Sequence, residues 1–274
     1  MTTTPTHPDL SGRVPSILPT AQGQFWGGRW HADPKAERLD SINPSTGELL
    51  AQVQLASAAD VDAAVRSARE AFPAWAAMPP LERARRLREA AARIRANAAD
   101  LALLDAADCG NPVKAMLFDA EIAATQLEFF AGLVLEIKGE TIPTGNGSLN
   151  YTRREPLGVV ARIFPFNHPF MFAAGKIAAP LAAGNTVVIK PPEQAPLSTL
   201  RLMELLADVF PPGVLNCVVG GRDIGAALVG HPQVAAVGLI GSVPAGKAVL
   251  HAAADGMKRT LLELGGKNAM VIYP

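Results

Sequence analysis

From residue 157 onward the chain repeats one pattern, a short apolar run rich in β-branched residues followed by a loop and a helical segment. The candidate strands are Gly158–Phe164, Thr186–Lys190, Leu215–Val219, Ala235–Ile240 and Thr260–Glu263. The segments that can hold helices are 170–183, 196–209, 223–229 and 244–254. Buried strands that alternate with helices predict an α/β fold, a parallel sheet with helices on both faces. Because ligands of such sheets bind at the carboxyl ends of the strands, the residues at those ends are the candidates for function.

The chain before this repeat is predicted to be a mobile tail at 1–20, followed by strands and helices at 21–137. The tail is rich in Thr and Pro and has no apolar core of its own. Asn43-Pro44-Ser45-Thr46-Gly47 has the composition of a turn between two short strands. Three helices are expected next: one capped by Ser57, one over about 81–104, and one from after Asn111-Pro112 to about Val134.

The second of these helices carries an arginine-rich face, made by Arg83, Arg85, Arg86, Arg88, Arg93 and Arg95. One interpretation is a patch that binds nucleic acid. The other is a solvated helix face, because Glu82, Glu89 and Asp100 are interleaved with the arginines. We favour the solvated face. The whole chain also balances 25 Lys and Arg against 25 Asp and Glu, so its charge attracts neither nucleic acid nor an anionic membrane.

Residues 138–156 are polar, with Gly145-Asn146-Gly147 at their centre. This composition predicts a protruding hairpin. A hairpin with open edges needs a partner strand, so the segment also indicates an oligomer.

Two rigid loops follow the first two strands of the repeat. In Phe164-Pro165-Phe166-Asn167-His168-Pro169, prolines fix the backbone around one amide side chain. Asn167 could donate an N–H to a developing oxyanion, or it could be an ordinary turn residue. After the second strand, Lys190 and Glu193 flank two prolines. They could hold a ribose diol, with Glu193 accepting and Lys190 donating, or form a solvent-exposed salt pair.

Glycines follow the remaining strands. Gly220-Gly221-Arg222-Asp223-Ile224-Gly225 is a weak phosphate signal, because an arginine stands at the second glycine of G-x-G-x-x-G. Gly241-Ser242-Val243-Pro244-Ala245-Gly246 opens a helix whose free N–H groups could meet a pyrophosphate, or it is a turn capped by Ser242. Glu263 lies beside Gly265-Gly266 and could act as a movable general base. The alternative is a surface glutamate before a turn.

The two cysteines, Cys109 and Cys217, provide neither a disulfide framework nor a metal-ligand spacing, so no metal site is predicted. Their small number fits a reducing, cytoplasmic compartment. The N-terminus does not resemble a signal peptide. The longest apolar run, Phe170 to Ile189, is interrupted by a lysine, a proline and a glycine, so no membrane span is expected.

Together these motifs resemble the aldehyde dehydrogenase superfamily, over a region from about residue 22 to the end. The matching stretches are Ile42-Asn43-Pro44-Ser45-Thr46-Gly47-Glu48, Arg154-Glu155-Pro156-Leu157-Gly158-Val159-Val160, Pro165-Phe166-Asn167-His168-Pro169, Ala183-Gly184-Asn185-Thr186-Val187-Val188-Ile189-Lys190-Pro191, Gly241-Ser242 and Glu263-Leu264-Gly265-Gly266-Lys267. The combination is highly specific.

The resemblance implies a Rossmann-like dinucleotide-binding domain at 157–264, an oligomerisation hairpin arm at 138–156 and the start of a catalytic domain at 265–274. It implies NAD(P)-dependent oxidation of a small aldehyde to a carboxylic acid, through a cysteine thiohemiacetal and a thioester. It also implies a homodimer or homotetramer in the full-length form.

By the same resemblance, Asn167 would hold the oxyanion, Glu263 would activate water, and Lys176 would lie near the chemistry. Lys190 and Glu193 match contacts to the adenosine ribose. The other positions expected to bind the cofactor are Ile163, Phe164, Pro165, Phe166, Gly220, Gly241, Ser242, Gly246, Leu264 and Gly265. Glu193 favours NAD, because its carboxylate repels a 2′-phosphate, although Lys190 leaves NADP possible.

The sequence departs from the family pattern in three places. Leu239-Ile240 stands where an aromatic residue and Thr are frequent, and Phe166 stands where Trp is frequent. The family's nucleophilic cysteine lies a few dozen residues beyond the glutamate, past the end of this sequence. Cys109 lies at a helix end and Cys217 in a buried strand, so neither is expected to replace it. We therefore expect the N-terminal portion of such an enzyme, with a non-catalytic dinucleotide-binding fragment as the alternative.

Overall fold

A computed structural model describes residues 11–145 and 147–273. A 3₁₀ turn at Ser11–Arg13 precedes the helices α1 (Val14–Ile17), α2 (Ala58–Ala77), α3 (Pro80–Ala96), α4 (Ala98–Cys109), α5 (Val113–Gly132), α6 (Pro169–Gly175), α7 (Ala178–Ala182), α8 (Leu197–Leu206), α9 (Arg222–Gly230) and α10 (Val243–Ala254). The strands are β1 (Gln24–Trp26), β2 (Arg29–His31), β3 (Arg38–Ile42), β4 (Leu49–Gln54), β5 (Thr141–Ile142), β6 (Asn150–Tyr151), β7 (Val159–Ile163), β8 (Thr186–Lys190), β9 (Leu215–Cys217), β10 (Val234–Gly241) and β11 (Arg259–Leu264). The first ten residues of the predicted tail, Asn146 of the predicted hairpin, and Pro274 lie outside the described residues.

The central sheet has seven strands in the order β11-β10-β7-β8-β9-β1-β2. The five strands from β11 to β9 in this order pair in parallel, which confirms the predicted α/β sheet. The sheet is mixed, because Phe25 of β1 pairs antiparallel with Cys217 of β9, and β2 then pairs with β1. These two strands are joined by a tight turn, and such a connection allows only antiparallel pairing.

Helices cover the sheet on both faces, as predicted. One core cluster joins Val159, Ala161 and Val188 of the sheet to apolar side chains of α2, α9 and α10. The other joins Val187 and Ile189 to the layer formed by α3 to α8. Neighbouring residues of β8 enter opposite clusters, because successive side chains of a strand point to opposite faces.

The predicted start of α2 is confirmed. Ser57 Oγ accepts from the backbone N–H of Asp60 at 3.2 Å, and Asp60 Oδ2 accepts from the N–H of Ser57 at 2.7 Å. This reciprocal pair satisfies two of the backbone donors that a helix leaves free at its start. The four predicted apolar positions, Val61, Ala64, Val65 and Ala68, are all buried.

Two predicted helices are each divided in two. The segment 81–104 is α3 followed by α4, with Asn97 between them. The Asn97 side chain donates to the carbonyl of Arg93 at 2.8 Å, and this local bond competes with continuation of the helix. The segment 170–183 is α6 followed by α7. Each segment was predicted to be one helix from the spacing of its apolar residues, and that spacing does not show where one helix ends and the next begins.

Part of the segment expected to be a mobile tail is a packed helix. Val14 and Ile17 of α1 are buried and join the core cluster that contains α4. Both the backbone N–H and the hydroxyl of Thr20 donate to Glu204 Oε1 at 2.6 Å. The prediction for 1–20 is therefore corrected for its second half, since two apolar side chains in a polar stretch suffice to anchor one helical turn.

The arginine-rich face of α3 is only partly solvated. Arg83 is buried, and its Nε donates to the carbonyl of Ala182 in α7 at 3.1 Å. Further contacts join Arg86 to the carbonyl of Val209, Arg93 to the carbonyl of Leu205 and to Asp208, and Arg95 to Glu121 and Glu128. These arginines tie α3 to α5, α7 and the end of α8. The favoured interpretation is corrected for these four arginines, because their partners come from remote parts of the chain, while Arg85 is exposed and pairs with Glu82 as a solvated face predicts.

The strands β5 and β6 pair as an antiparallel hairpin, with Thr141 opposite Tyr151 and Ile142 opposite Asn150. Leu149 and Tyr151 expose 76% and 63% of their surface, so the hairpin carries apolar side chains that this chain leaves uncovered.

Within the described residues, none of the helices combines the length and the apolar character needed to cross a membrane.

Two buried aspartates lie one turn apart on α4. Asp108 accepts from Ser41 Oγ and from the backbone N–H of Leu197 at 2.8 Å, so it caps the start of α8. Neither carboxylate oxygen of Asp105 has a hydrogen-bond partner of normal geometry among the described residues. Burial raises the pKa of each carboxyl to about 7, because desolvation penalises the charged form.

This burial predicts a pH-dependent stability. A carboxyl whose folded pKa exceeds its unfolded value of about 3.9 stabilises the fold below pH 4 and loses that contribution as pH rises through 7. As pH rises from 5 to 8, we expect the unfolding free energy of Asp105→Asn to increase by about 2 kcal/mol relative to that of wild type. Urea denaturation at both pH values measures this. The exposed Asp40→Asn is the control, and an equal pH slope in Asp105→Asn and wild type would contradict the prediction.

Candidate functional site

Parallel pairing brings the candidate residues to one edge of the sheet. Ile163 at the end of β7 lies opposite Lys190 of β8 and Leu239 of β10. Glu263 of β11 lies opposite Ile240. The loops that follow these strands therefore converge, as the rule for carboxyl ends predicts.

A cleft of about 370 Å³ lies at this edge, between α9 and α10. Its wall includes four residues from the predicted set, Ile163, Lys190, Glu193 and Ser242. The rest of the lining is mainly one face of each helix, made by Arg222, Gly225, Ala226 and Val229 of α9 and by Ala245, Ala248, Val249 and Ala252 of α10. The spacing i, i+3, i+4, i+7 marks a single helix face, and its small side chains leave the cleft open. This spacing can be read in the sequence, although these helix residues were not among the predicted site residues.

Lys190 and Glu193 lie side by side in the wall of the cleft. Lys190 is only 5% exposed. Its Nζ donates to Glu193 Oε2 at 3.3 Å and to the carbonyl of Pro191 at 3.1 Å. Burial lowers the pKa of Lys190, and the Glu193 carboxylate opposes that shift. A buried ammonium is costly unless it is paired, so this lysine is built into the cleft and is not half of a solvent-exposed salt pair.

Ser242 caps α10 and also lines the cleft. Its Oγ accepts from the backbone N–H of Ala245 at 3.3 Å, so it caps α10. It also lines the cleft together with Pro244 and Ala245. The N-terminus of α10 carries the positive end of the helix dipole to the cleft, which suits an anionic group.

Two of the four predicted cofactor glycines, Gly220 and Gly246, have packing roles in this structure. A Cβ on Gly246 would lie 2.7 Å from Leu264, so the glycine lets α10 pack on β11. A Cβ on Gly220 would overlap the side chain of Ile224. Neither glycine is among the residues that line the cleft. Gly241 precedes the cap Ser242, and Gly265 has open space where a side chain would stand.

Glu263 and Lys176 belong to a second cleft, of about 580 Å³, on the opposite face of the sheet. Lys176 Nζ donates to Glu263 Oε1 at 3.1 Å. The glutamate lies within β11, which continues to Leu264. The structure therefore brings two of the three predicted catalytic side chains together but places them across the sheet from Lys190 and Glu193.

Arg162 was missed by the sequence analysis. It is the residue before the last in β7, is 7% exposed, and lines the second cleft together with Lys176 and Glu263. Burial lowers its pKa, and the charge of Glu263 opposes this shift. Its Nε has no hydrogen-bond partner among the described residues. A charged residue inside an otherwise apolar strand was the available signal.

Asn167 lies in the turn between β7 and α6, and its side chain is exposed. It lines neither of the two clefts. Two nearby residues were predicted to bind the cofactor. Phe164 is buried in the core, and Phe166 is 57% exposed. Asn167 thus lies in the loop that follows the carboxyl end of β7, outside the lining of both clefts.

The two cysteines are unsuited to nucleophilic attack. Burial, followed by the charge of Asp105, raises the pKa of Cys109 to about 12. Burial raises the pKa of Cys217 to about 12, and Lys190 opposes the shift. Because the thiolate is the reactive form, neither side chain is an activated nucleophile at neutral pH.

The parallel sheet, its two helical layers and the cleft at its carboxyl edge place the chain among Rossmann-like α/β proteins. The family model described as "Aldehyde dehydrogenase family" matches residues 30–274. The chain belongs to the aldehyde dehydrogenase family.

Its relatives agree with this assignment. The chain is 48% identical to aldehyde dehydrogenase tropH of Talaromyces stipitatus over 95% of its own length and 51% of the relative's. It is 44% identical to betaine aldehyde dehydrogenase of Cereibacter sphaeroides, over 92% and 53% of the two lengths. It thus spans about half the length of the curated relatives that it matches.

Two crystal structures of similar proteins contain a bound dinucleotide. The complex of PnpE with nicotinamide adenine dinucleotide has a TM-score of 0.88 at 41% identity, over 91% of this chain and 52% of that one. The NAD⁺ complex of betaine aldehyde dehydrogenase from Staphylococcus aureus has a TM-score of 0.91 at 32% identity, over 94% and 53%.

The packing of Arg162 gives a testable prediction. A Cβ on Gly238 of β10 would overlap Arg162 Nη1. We expect Gly238→Ala to lower the unfolding free energy by about 1–3 kcal/mol, because a buried guanidinium must move. We expect a smaller loss in an Arg162→Ala background. Urea denaturation of the double-mutant cycle measures the difference.

Gly132→Ala is the matched control, since a Cβ there meets nothing within 4 Å. An equal loss for Gly238→Ala with and without Arg162 would show that the glycine is required for another reason.

Proposed function

We propose that this chain forms the coenzyme-binding half of an NAD-dependent aldehyde dehydrogenase, which oxidises a small aldehyde to a carboxylic acid through a cysteine thiohemiacetal and a thioester. The observation that carries the proposal is the cleft at the sheet edge, where a buried Lys190 pairs with Glu193 at 3.3 Å. In a member of this family, such a cleft is the expected place for a dinucleotide.

The cleft fits the two polar parts of a dinucleotide. Glu193 can accept from a ribose hydroxyl while Lys190 donates to one. The N-terminus of α10 and Ser242 offer backbone donors to a pyrophosphate. The apolar faces of α9 and α10 suit the adenine ring. NAD is favoured over NADP because the Glu193 carboxylate repels a 2′-phosphate, and NAD is the dinucleotide bound in the similar structures of PnpE and the S. aureus enzyme.

The chemistry that bound NAD supplies is the acceptance of a hydride from the substrate. Among this chain's own residues, Asn167 is proposed to donate its side-chain N–H to the oxyanion. Glu263 is proposed to take a proton from water during hydrolysis of the thioester. Lys176 holds the Glu263 carboxylate by the bond of 3.1 Å. The glycines at 265 and 266, where a Cβ would meet nothing, leave the chain after the base free to adjust.

The second candidate function is dinucleotide binding without catalysis by these 274 residues. The raised pKa of both Cys109 and Cys217 favours it, because the proposed reaction needs a thiolate. A homodimer or homotetramer remains part of the first proposal. The exposed Leu149 and Tyr151 of the hairpin support it, since an open hairpin edge pairs readily with another chain.

Cofactor binding is the first test. We expect isothermal titration calorimetry to show tighter binding of NAD than of NADP. Glu193→Ala should weaken NAD binding about tenfold, because a hydrogen bond donated to a charged group contributes roughly 1.5–3 kcal/mol. The same substitution should also reduce the ratio of the NADP dissociation constant to the NAD dissociation constant. Glu70→Ala, an exposed glutamate on α2, is the matched control. Tighter NADP binding, or no binding of either dinucleotide, would reject the proposed cofactor.

Turnover separates the two candidate functions. We expect no NADH absorbance when propanal and NAD are added to the purified chain, because neither thiol is activated. If NADH does form, these residues catalyse the reaction by themselves. Cys109→Ser and Cys217→Ser would then show which thiol takes part.

A further inference from the structure

Two side chains from the helical layer form hydrogen bonds with the turn that contains Asn167. Asn111 Nδ2 donates to the backbone carbonyl of Asn167 at 2.5 Å. His168 Nδ1 lies 2.6 Å from Asp119 Oδ2, with the ring N–H donating to the carboxylate. Neither contact was part of the predicted site, and neither partner touches the reacting groups proposed above.

Asn111 is itself fixed in place. It follows Gly110, which ends α4 with φ +82°, and it precedes Pro112 at the start of α5. Only glycine adopts this backbone conformation readily. A Cβ on Gly110 would also lie 2.9 Å from the side chain of Pro44. The donor that reaches Asn167 therefore comes from a rigid corner between two helices.

Asp119 is a buried carboxylate in the middle of α5, with 3% of its surface exposed. A buried carboxylate needs a hydrogen-bonding partner, and His168 provides it. His168 also begins α6, since its carbonyl accepts from the N–H of Phe172 at 3.1 Å. The ring and the carbonyl of the residue after Asn167 are thus both held.

These contacts restrict the peptide that joins Asn167 to His168 at both ends. The carbonyl of Asn167 is fixed by Asn111, and the next residue is fixed by Asp119 and by α6. Pro165 and Pro169 limit the backbone on either side. What remains free is the exposed side chain of Asn167, whose direction follows from the backbone beneath it.

We propose that Asn111 and Asp119 are positioning residues that hold the Asn167 turn in one conformation, the conformation in which its amide faces the substrate. The inference rests on the proposed role of Asn167 as an oxyanion donor. Such a donor stabilises developing charge only if it is preorganised, and a displacement of about 1 Å can cost on the order of a hundredfold in rate. An exposed turn at the edge of a sheet does not supply that rigidity by itself.

Backbone and side-chain amide relaxation by NMR, on the isotope-labelled full chain, tests this assignment. In wild type we expect order parameters of about 0.85 through residues 166–168. In Asn111→Ala and in Asp119→Ala we expect them to fall below about 0.6, with broadened Asn167 side-chain resonances. In Asp119→Asn, which keeps an acceptor for the His168 ring, we expect order close to that of wild type.

Asn97→Ala is the matched control, because Asn97 also donates its side-chain N–H to a backbone carbonyl, at 2.8 Å and away from this turn. It should leave residues 166–168 unchanged. Unchanged order at the turn in both alanine variants would overturn the inference. Loss of order throughout α5 and α6 in both Asp119 variants would assign Asp119 a general structural role and overturn its part.

NAD titration of the same samples separates this inference from the proposed function. We expect the dissociation constant for NAD to change less than about twofold in each variant, since the cleft between α9 and α10 is not touched. A wild-type chain that binds no NAD would reject the proposed cofactor site, while the relaxation data would still decide whether Asn111 and Asp119 hold the turn.

Discussion

The parallel pairing of β11, β10, β7, β8 and β9 is the constraint on which the rest of the structure depends. Parallel neighbours require a crossover, and each crossover here places a helix on one face of the sheet. The strands β7, β8 and β9 are consequently buried on both sides, whereas β11 at the end of the strand order is largely exposed. Every loop at a carboxyl end emerges at the same edge, so five short polar segments that are distant in sequence become neighbours.

Neighbouring residues of β7 line clefts on opposite faces of the sheet. Ile163 points into the cleft between α9 and α10, and Arg162, its neighbour, points into the cleft that holds Lys176 and Glu263. Alternation of side chains along a strand is sufficient to explain this division. Asn167 follows a few residues later, beyond the end of the strand, where the turn is held by the helical layer and not by the sheet.

Several features could be read directly from the residues. The strand Thr186–Lys190 has the predicted bounds, and the start of α2 at Ser57 follows from its capping box. Others could not be read, because they depend on partners that are remote in sequence. Arg83 was predicted to be solvated, but its guanidinium donates to the carbonyl of Ala182 in α7. Val14 and Ile17 were predicted to belong to a mobile tail, but they are buried in the core cluster that contains α4.

The sequence by itself determined which residues occupy the ends of the strands, since apolar period and turn chemistry are local properties. It also determined membership of the aldehyde dehydrogenase family, through motifs that span most of the chain. Only the tertiary structure decided which face of the sheet each residue serves and which glycines are needed for packing. It also decided how the Asn167 turn is held. These outcomes depend on contacts such as Gly246 with Leu264 and Asn111 with Asn167, and such contacts form only when separate segments pack together.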